Sequence, residues 1–517
     1  MLPPFVLKHD FLILFIRNNG CIVYGNRLSG FRCEIGMIIV FALAKSYYLC
    51  AVKQNDNKLK NVPRMLLAVI LMLTGLSFLG GFSIAGWTSR PVRLYSDLTK
   101  NIGSDADDFP DDSLLWARME IPASSDKKTE ADPSSGVEAG SSSVSRFQGV
   151  PIEDFSADKD ALKHFFDALD GREQLGRPVR VAFLGDSFVE GDILTSDVRE
   201  FLQERFGGRG VGFVPLAPID RYRNTLNVDH DGWEILNSLY GGQKAKYLLN
   251  GQCFAPVAGE ARVSVRATDQ REHAKSFNTA ALLYSADSAA TLYYDLGRSG
   301  EKEVPLKTGG NLQLFEAARQ NMRMADFRIS GDAGFTGYGL FLNDESGVYV
   351  DNYSLRSSTG MQLLRVGPKL LERMNTMIPY DLVVLQYGMN VMEAERRDYE
   401  NYANQMIRVI DRLKEAMPGV SILVFGVGDR NFKNDDGEMV TKIGVTNLVE
   451  AQRRVAQETG VAFWNTYLAM GGRNSMGTFV NQTPALANKD YTHINYHGGR
   501  KIGLAFGEAL MDAQNRY

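Results

Sequence analysis

Cysteine and histidine are both scarce in this sequence. Of 517 residues, six are histidine and four are cysteine, namely Cys21, Cys33, Cys50 and Cys253. Three of the cysteines lie within the first 50 residues, which leaves Cys253 alone in the rest of the chain. This distribution excludes a disulfide framework and a cysteine-based zinc site from the body of the protein.

An excess of charge of one sign is also missing. The chain has 57 Lys and Arg against 61 Asp and Glu, which gives a formal net charge of −4. Nucleic-acid binding requires a strongly basic surface, so nucleic acid is not an expected partner. With 44% hydrophobic and 23% charged residues, the composition is typical of a folded globular protein. The length predicts two or three domains.

One long uncharged run stands out near the N-terminus, at residues 65–87. As a helix it is long enough to cross a hydrocarbon layer of roughly 30 Å. Basic residues precede it, which places its N-terminal side in the cytoplasm and everything after it outside. Ser83-Ile84-Ala85 resembles the cleavage site of a signal peptide. The sequence therefore predicts either a transmembrane anchor or a removable signal, with about equal support for each.

Two segments flank this run. Residues 1–64 are either a genuine N-terminal extension or the result of a start codon assigned too far upstream. In the second case Met65 is the first residue. Residues 97–149 are polar, acidic and Ser-rich, and they cannot bury enough apolar surface to fold, so we expect a disordered linker. The expected location is periplasmic or extracellular, with the folded part either anchored to the membrane or secreted.

Short apolar runs alternate with helical patterns in residues 150–219 and 351–517. Strands are predicted at 179–184, 381–387, 420–427 and 461–467, and helices at 196–206 (with Ser196 as N-cap), 361–377, 399–417, 446–459 and 499–513. This alternation is typical of a parallel sheet with helices on both faces, which is a three-layer α/β/α fold. In such folds the ligand site lies beyond the carboxyl ends of the strands.

Residues 220–350 follow a different pattern. Many short strand-like runs are separated there by glycines and polar turns. This pattern predicts a β-sandwich inserted into the α/β domain. Its Tyr and Phe side chains either fill the sandwich core, which is the commoner arrangement, or line a sugar-binding face.

The tripeptide Gly185-Asp186-Ser187 directly follows the first predicted strand. A serine at this position is exposed at the edge of the sheet, and backbone N–H groups of the turn can point at a developing oxyanion. The structural alternative is a serine that caps a helix or a turn, which the tripeptide alone would favour.

A second motif, Asp490-Tyr491-Thr492-His493, supplies an imidazole and a carboxylate on one tight turn. Serine is a poor nucleophile until an imidazole takes its proton, and the imidazole needs a carboxylate to fix its tautomer. His497 follows four residues later and suggests a metal pair with His493. We interpret His497 as structural instead, because no further His or Cys lies nearby to complete a metal site.

A third motif, Gly388-Met389-Asn390, follows the predicted strand at 381–387. The side-chain amide of Asn390 can donate a hydrogen bond to an oxyanion, and Gly388 allows the backbone to turn closely. The structural alternative is an asparagine that supports only its own turn.

In this order the motifs GDSFVEGD, GMN and DYTH resemble those of the SGNH (GDSL) hydrolase family, over roughly residues 155–517. The resemblance implies a flavodoxin-like sheet, no metal and no cofactor. It also implies that Ser187 is the nucleophile, His493 the general base and Asp490 its orienting acid. The implied oxyanion donors are the backbone N–H of Ser187 and the amide of Asn390. The family's remaining donor is usually a glycine N–H, and here Ser357 takes its place, with Gly360 the nearest alternative.

The predicted insertion narrows the resemblance to bacterial SGNH esterases that remove O-acetyl groups from peptidoglycan or other envelope polysaccharides. In those enzymes an inserted β-domain resembles a carbohydrate-binding module. The implied substrate is an acetylated polysaccharide or peptidoglycan. Two alternatives stay open, namely a non-catalytic glycan-binding protein with a degenerate site and an O-acetyltransferase or lipid esterase on the same scaffold.

Overall fold

The computed structural model describes residues 149–239, 246–297, 300–331 and 334–517, and before them only short strands. These are β1 (Lys8–His9), β2 (Leu12–Arg17) and β3 (Gly20–Tyr24), which form one antiparallel sheet, and the antiparallel pair β4 (Ser83–Ile84) and β5 (Trp87–Thr88). The N-terminal strands and residues 149–517 belong to separate compact units.

Apart from those short strands and residue 149, the predicted extension (1–64), anchor or signal (65–87) and linker (97–149) lie outside the described residues. Within the described part of the chain, no helix is both long enough and apolar enough to span a membrane. The anchor or signal therefore stays a prediction.

The second unit contains strands and helices throughout. Its strands are β6 (Glu153–Asp154), β7 (Val179–Gly185), β8 (Gly212–Val214), β9 (Leu226–Asp231), β10 (Trp233–Asn237), β11 (Gln252–Pro256), β12 (Glu260–Ala267), β13 (Phe277–Ala286), β14 (Ala290–Asp295), β15 (Lys302–Pro305), β16 (Gln313–Met322), β17 (Met324–Gly331), β18 (Phe335–Asn343), β19 (Val348–Ser354), β20 (Leu382–Gln386), β21 (Ser421–Phe425), β22 (Asn431–Lys433), β23 (Met439–Thr441) and β24 (Ala462–Trp464). Its α-helices are α1 (Lys163–Asp170), α2 (Thr195–Phe206), α3 (Pro368–Met377), α4 (Glu400–Ala416), α5 (Ile443–Thr459), α6 (Thr466–Met470), α7 (Ser475–Asn481) and α8 (Tyr496–Arg516).

One mixed sheet forms the middle of the α/β part, with strand order β19-β7-β20-β21-β24-β6. The first five strands run parallel, in agreement with the prediction. The sheet differs from the predicted parallel arrangement only at one edge, where β6 pairs antiparallel with β24.

Successive side chains of the strands enter two separate hydrophobic cores, because a strand turns alternate residues to opposite faces. Val181 and Phe183 of β7 pack in one core with α1, α2, α7 and α8. Ala182 and Leu184 of the same strand pack in the other core, with α3, α4 and α5. The sheet is thus the middle of three layers.

Two antiparallel sheets lie between β7 and β19 in the sequence. Their strand orders are β10-β11-β18-β13-β16, with β8 beside β18, and β15-β14-β17-β12-β9. Side chains of both sheets, such as Leu282 and Ile329, share one hydrophobic core. The predicted boundaries of the inserted part, 220 and 350, do not coincide with the limits set by strand pairing. β8 already pairs with β18, and all of β19 pairs with β7 in the mixed sheet.

Two helix boundaries differ from the sequence-based expectation. The single helix expected at 361–377 is a 3₁₀ turn (Met361–Arg365) followed by α3. Proline at the start of α3 disfavours helical backbone in Gly367, the residue before it. Ser196 is not the N-cap of α2, because the helix begins at Thr195 after Leu194. The Ser196 hydroxyl instead accepts a hydrogen bond from Asn224 at 3.2 Å.

Candidate active site

The carboxyl ends of β19, β7 and β20 lie side by side at one edge of the mixed sheet. Ser187 follows β7, Ser357 follows β19, and Asn390 follows β20. From β7 the chain proceeds to β19 on one side and from there to β20 on the other side. The site therefore lies where the strand order reverses, which is where α/β sheets bind ligands.

Ser187, His493 and Asp490 form one continuous hydrogen-bonded chain of side chains. The Oγ of Ser187 lies 3.0 Å from Nε2 of His493. The other ring nitrogen, Nδ1, lies 2.6 Å from Oδ2 of Asp490. The fold thus brings Ser187 and His493 into contact, although they are 306 positions apart in the sequence.

The turn that carries Asp490 and His493 is built largely by the aspartate itself. Its Oδ1 accepts hydrogen bonds from the backbone N–H groups of Thr492 (2.9 Å) and His493 (3.0 Å). Tyr491, inside the turn, has φ 55°, a left-handed conformation that is uncommon for residues other than glycine. The N–H of Asn431, in the segment after β21, donates to the Tyr491 carbonyl at 3.1 Å. This hydrogen bond ties the turn to the first residue of β22.

Asp490 is held in its ionised form. Partial burial raises the pKa of its carboxyl, but the hydrogen bonds from the His493 ring and from the backbone N–H groups of His493 and Thr492 outweigh this effect. The resulting pKa is about 2. Near neutral pH the group facing Nδ1 is therefore a carboxylate, which accepts a hydrogen bond and stabilises a positive ring.

Asn390 lies on a turn that requires glycine two residues earlier, at position 388. Gly388 has φ 127°, and a Cβ atom there would lie 2.5 Å from Val427. The Nδ2 of Asn390 donates to the Ser358 carbonyl at 2.8 Å and to Oδ2 of Asp186 at 3.2 Å. Because both acceptors belong to the protein, an oxyanion that binds this amide must replace one of them.

Of the two residues considered for the remaining oxyanion donor, the structure places Ser357 in the wall of the cavity at Ser187. Its φ of 63° is the left-handed conformation that a glycine adopts readily, so serine is accommodated here at some conformational cost. The N–H of Gly360 instead donates to the hydroxyl of buried Ser358 at 3.0 Å. Gly360 is thus used to build the loop.

Asp186 is a functional candidate that the sequence analysis missed. It is fully buried beneath Ser187, and its two oxygens accept hydrogen bonds from the Phe188 N–H (3.0 Å) and from Asn390. Burial raises its pKa to about 7, against the opposing effect of the Phe188 N–H, of His493 and of further hydrogen bonds from Met389 and Gln386. Its place in the Gly-Asp-Ser motif was the available signal, since the carboxyl lies between the motif serine and Asn390.

We expect the Asp186→Asn substitution to change the pH dependence of stability. The carboxyl ionises near pH 3.8 in the unfolded chain and near 7 in the folded one, so its stabilising contribution is complete below pH 3.8 and is lost as the pH rises through 7. Relative to Asp186→Asn, the wild type should lose up to about 4 kcal/mol of unfolding free energy between pH 4 and pH 8. Urea unfolding of both proteins across this range measures the difference, and parallel curves would contradict the assignment.

The cavity above Ser187 has a volume of about 690 Å³. Three charged side chains line part of this cavity. Arg356 forms an ion pair with Glu190 and lies 3.8 Å from Asp220. Burial and the nearby Asp220 raise the pKa of Glu190, while Arg356 opposes the shift. These residues come from three different segments, and no motif in the sequence connects them.

His497 and Cys253 are the remaining residues that the sequence analysis considered for metal or thiol chemistry. No group of three or more His, Cys, Asp or Glu side chains is placed to hold a metal ion among those residues. His497, on the first turn of α8, has its N–H bonded to the cap residue Asn495 at 3.0 Å. Cys253 is buried, and burial raises the pKa of its thiol to about 12, so the thiol is not a nucleophile near neutral pH.

A known protein family matches part of the chain. Residues 320–500 match the GDSL-like lipase/acylhydrolase family. That range includes Asn390, Asp490 and His493, whereas Ser187 precedes it, on the other side of the two antiparallel sheets. No curated protein matches the chain.

Several solved structures are similar. A structure described as a peptidoglycan O-acetylesterase in action is 20% identical, with a TM-score of 0.58, and the match covers 71% of this chain and 99% of that one. Family two carbohydrate esterases from Cellvibrio japonicus (9% identical, covering 56% of this chain and 99% of that one) and from Clostridium thermocellum in complex with cellohexaose (10% identical, covering 54% and 98%) both have TM-scores of 0.24. The structure described as a peptidoglycan O-acetylesterase shares the fold over most of the chain. The chain therefore carries a GDSL-like lipase/acylhydrolase domain, and the protein is a hydrolase that acts on ester bonds.

Proposed function

We propose that this protein is a serine esterase that removes O-acetyl groups from a cell-envelope or other polysaccharide through an acyl-enzyme. The observation that carries the proposal is the contact of Ser187 Oγ with His493 Nε2 at 3.0 Å, while Asp490 lies 2.6 Å from the other ring nitrogen. A degenerate, non-catalytic site would be expected to have lost at least one of these contacts.

The first half of the reaction follows from the tautomer that Asp490 selects. The ionised carboxylate accepts the Nδ1–H of His493, which leaves the lone pair of Nε2 directed at Ser187. As Ser187 Oγ bonds to the ester carbonyl carbon, its proton moves to Nε2. Asp490 then stabilises the positively charged imidazolium. The tetrahedral oxyanion takes hydrogen bonds from Asn390 and from the backbone N–H groups of Ser187 and Ser357.

The second half returns the protons. When the tetrahedral intermediate collapses, the bond from the carbonyl carbon to the sugar oxygen breaks, and His493 gives its proton to that oxygen. Water then attacks the acetyl group on Ser187, and His493 accepts a proton from the water. Release of Ser187, which regains the proton, produces acetate and free enzyme.

The polar character of the cavity supports a sugar ester over a long-chain acyl ester. Glu190, Asp220 and Arg356 line it with charge, whereas a long acyl chain requires an apolar channel. The structure with which the chain shares its fold is, by its description, an O-acetylesterase of peptidoglycan. We include in the proposal that the two antiparallel sheets form a β-sandwich insertion, and that residues 65–87 direct export as an anchor or a signal.

The test is acetate release by the purified protein from O-acetylated peptidoglycan, acetylated xylan and acetylated pectin, compared with hydrolysis of p-nitrophenyl palmitate. We expect acetate release from at least one polysaccharide and little turnover of the palmitate ester. Turnover of the palmitate ester alone would overturn the substrate assignment and favour a lipid esterase.

Replacement of Asn390 by alanine is expected to lower kcat for p-nitrophenyl acetate by roughly 10²–10³, the loss typical of one oxyanion donor. KM should change little, because the interaction strengthens only in the transition state. Steady-state kinetics measure both constants, with Asn481→Ala, at the exposed end of α7, as the matched control. A rise in KM at constant kcat would show that Asn390 binds the ground state instead.

A further inference from the structure

Two large apolar side chains are exposed at the mouth of the catalytic cavity. Ile219 and Tyr222 are each 64% exposed, and both line the cavity that contains Ser187 and His493. They belong to the connection between β8 and β9, which joins the two antiparallel sheets. The part of the chain between β7 and β19 therefore supplies one wall of the site. We call residues 219–222 the β8–β9 wall.

The β8–β9 wall is anchored at its end by hydrogen bonds next to β9. The Val228 N–H donates to the Arg221 carbonyl at 2.7 Å, and the Arg223 N–H donates to the Leu226 carbonyl at 3.0 Å. Tyr222 also forms a β-bridge with Asn227. These contacts hold the backbone on both sides of Tyr222 and so keep its side chain at the mouth of the cavity.

The same cavity also has a charged lining, to which Asp220 of this wall contributes. The Arg356–Glu190 ion pair is there, with Asp220 close to Arg356 and to Gly191. The cavity that contains Ser187 thus combines two exposed apolar side chains, one of them aromatic, with a group of hydrogen-bonding charges. A pyranose ring has the matching character, because its C–H groups form an apolar face and its hydroxyl groups project at the rim. Aromatic rings bind such faces through large contact area in a fixed geometry.

We propose that the β8–β9 wall binds the sugar ring that carries the ester, with the Tyr222 ring packed on the C–H face of a pyranose unit. Glu190, Asp220 and Arg356 then hydrogen-bond to groups at the rim of that ring. The inference rests on the proposed function and deepens it, since it makes the substrate a glycan and makes residues outside the mixed-sheet fold a determinant of specificity.

The experiment compares Tyr222→Ala and Tyr222→Phe with wild type in the full chain, on p-nitrophenyl acetate and on the acetylated polysaccharide from which wild type releases acetate. Tyr222→Ala should lower kcat/KM on the polysaccharide roughly ten- to a hundredfold, mainly through KM, as for a central aromatic contact. The loss on p-nitrophenyl acetate should be clearly smaller than the loss on the polysaccharide, because that ester has no sugar ring to bind. Tyr222→Phe should retain polysaccharide activity, since the ring makes the contact.

The matched control is Tyr293→Ala, which removes a half-buried tyrosine from a separate groove on the outer face of the second antiparallel sheet. It should leave the activity on both substrates unchanged. Unchanged polysaccharide kinetics for Tyr222→Ala, or an equal loss on both substrates, would overturn the inference and leave the proposed function intact. If the wild type hydrolyses p-nitrophenyl acetate but releases no acetate from any polysaccharide, the glycan substrate and the ring-binding wall are both overturned.

Discussion

The Ser187→Ala variant is expected to lose hydrolysis of p-nitrophenyl acetate by a factor on the order of 10⁴ or more in kcat. Ser187 is the hydroxyl that contacts His493, at 3.0 Å, and without it no acyl-enzyme forms through this imidazole. Members of such a triad act as a unit, so removal of the nucleophile alone eliminates most of the rate enhancement. Stopped-time assays at high enzyme concentration measure the residual rate.

The loss must be separated from unfolding. Ser187 is only half-buried and its replacement removes a single oxygen, so the thermal unfolding midpoint should stay close to that of wild type. Ser330→Ala, on the half-buried outer part of β17, is the matched control and should keep full activity. Substantial turnover by a folded Ser187→Ala protein would show that another group attacks the ester, and the acyl-enzyme mechanism would fail.

The positions of Ser187, Asn390 and His493 could be predicted because each depends on local sequence. Buried strands can be recognised in the sequence as short apolar runs. The motif residues lie directly after such strands or just before the last helix. The ends of neighbouring parallel strands meet at one edge, so sequence order is enough to bring Ser187 and Asn390 together. The Asp490–His493 contact is a turn contact, set by residues close in the sequence.

The charged side of the cavity could not be predicted, because Glu190, Asp220 and Arg356 meet only through the tertiary fold. The same reason applies to Asp186, whose raised pKa results from burial that no local pattern reports. The pairing of strands at the edges of the sheets could not be predicted either. The antiparallel β6 and the pairing of β8 with β18 depend on long-range partners, whereas the sequence shows only that a segment suits a strand.

A buried ion pair joins the mixed sheet to the antiparallel sheets. Asp351 on β19 is fully buried and bonds to Arg180 on β7 at 2.8 Å. It also accepts from the Tyr380 hydroxyl at 2.8 Å and from the Phe213 N–H of β8 at 2.9 Å. Arg180 in turn donates to Asn343 of β18 at 2.8 Å. If Asp351 is removed, Arg180 loses its charge complement, and the Tyr380 hydroxyl and the Phe213 N–H lose an acceptor.

We therefore expect Asp351→Ala to lower the free energy of unfolding by about 3–5 kcal/mol, because the guanidinium of Arg180 would stay buried without its carboxylate. Urea unfolding measures the loss, with Glu345→Ala as control. Glu345 pairs with Arg319 on the surface, and removal of such an exposed pair should cost no more than about 1 kcal/mol.

A double variant, Arg180→Met with Asp351→Leu, tests the physical reason for this loss. Because it removes both buried charges together, it should recover much of the stability that Asp351→Ala loses. If the double variant is as unstable as Asp351→Ala, the loss comes from packing and from the hydrogen bonds to Phe213 and Tyr380, and not from the unpaired charge. That distinction matters for the cavity, since Phe213 lies on β8, the strand that leads directly into the β8–β9 wall.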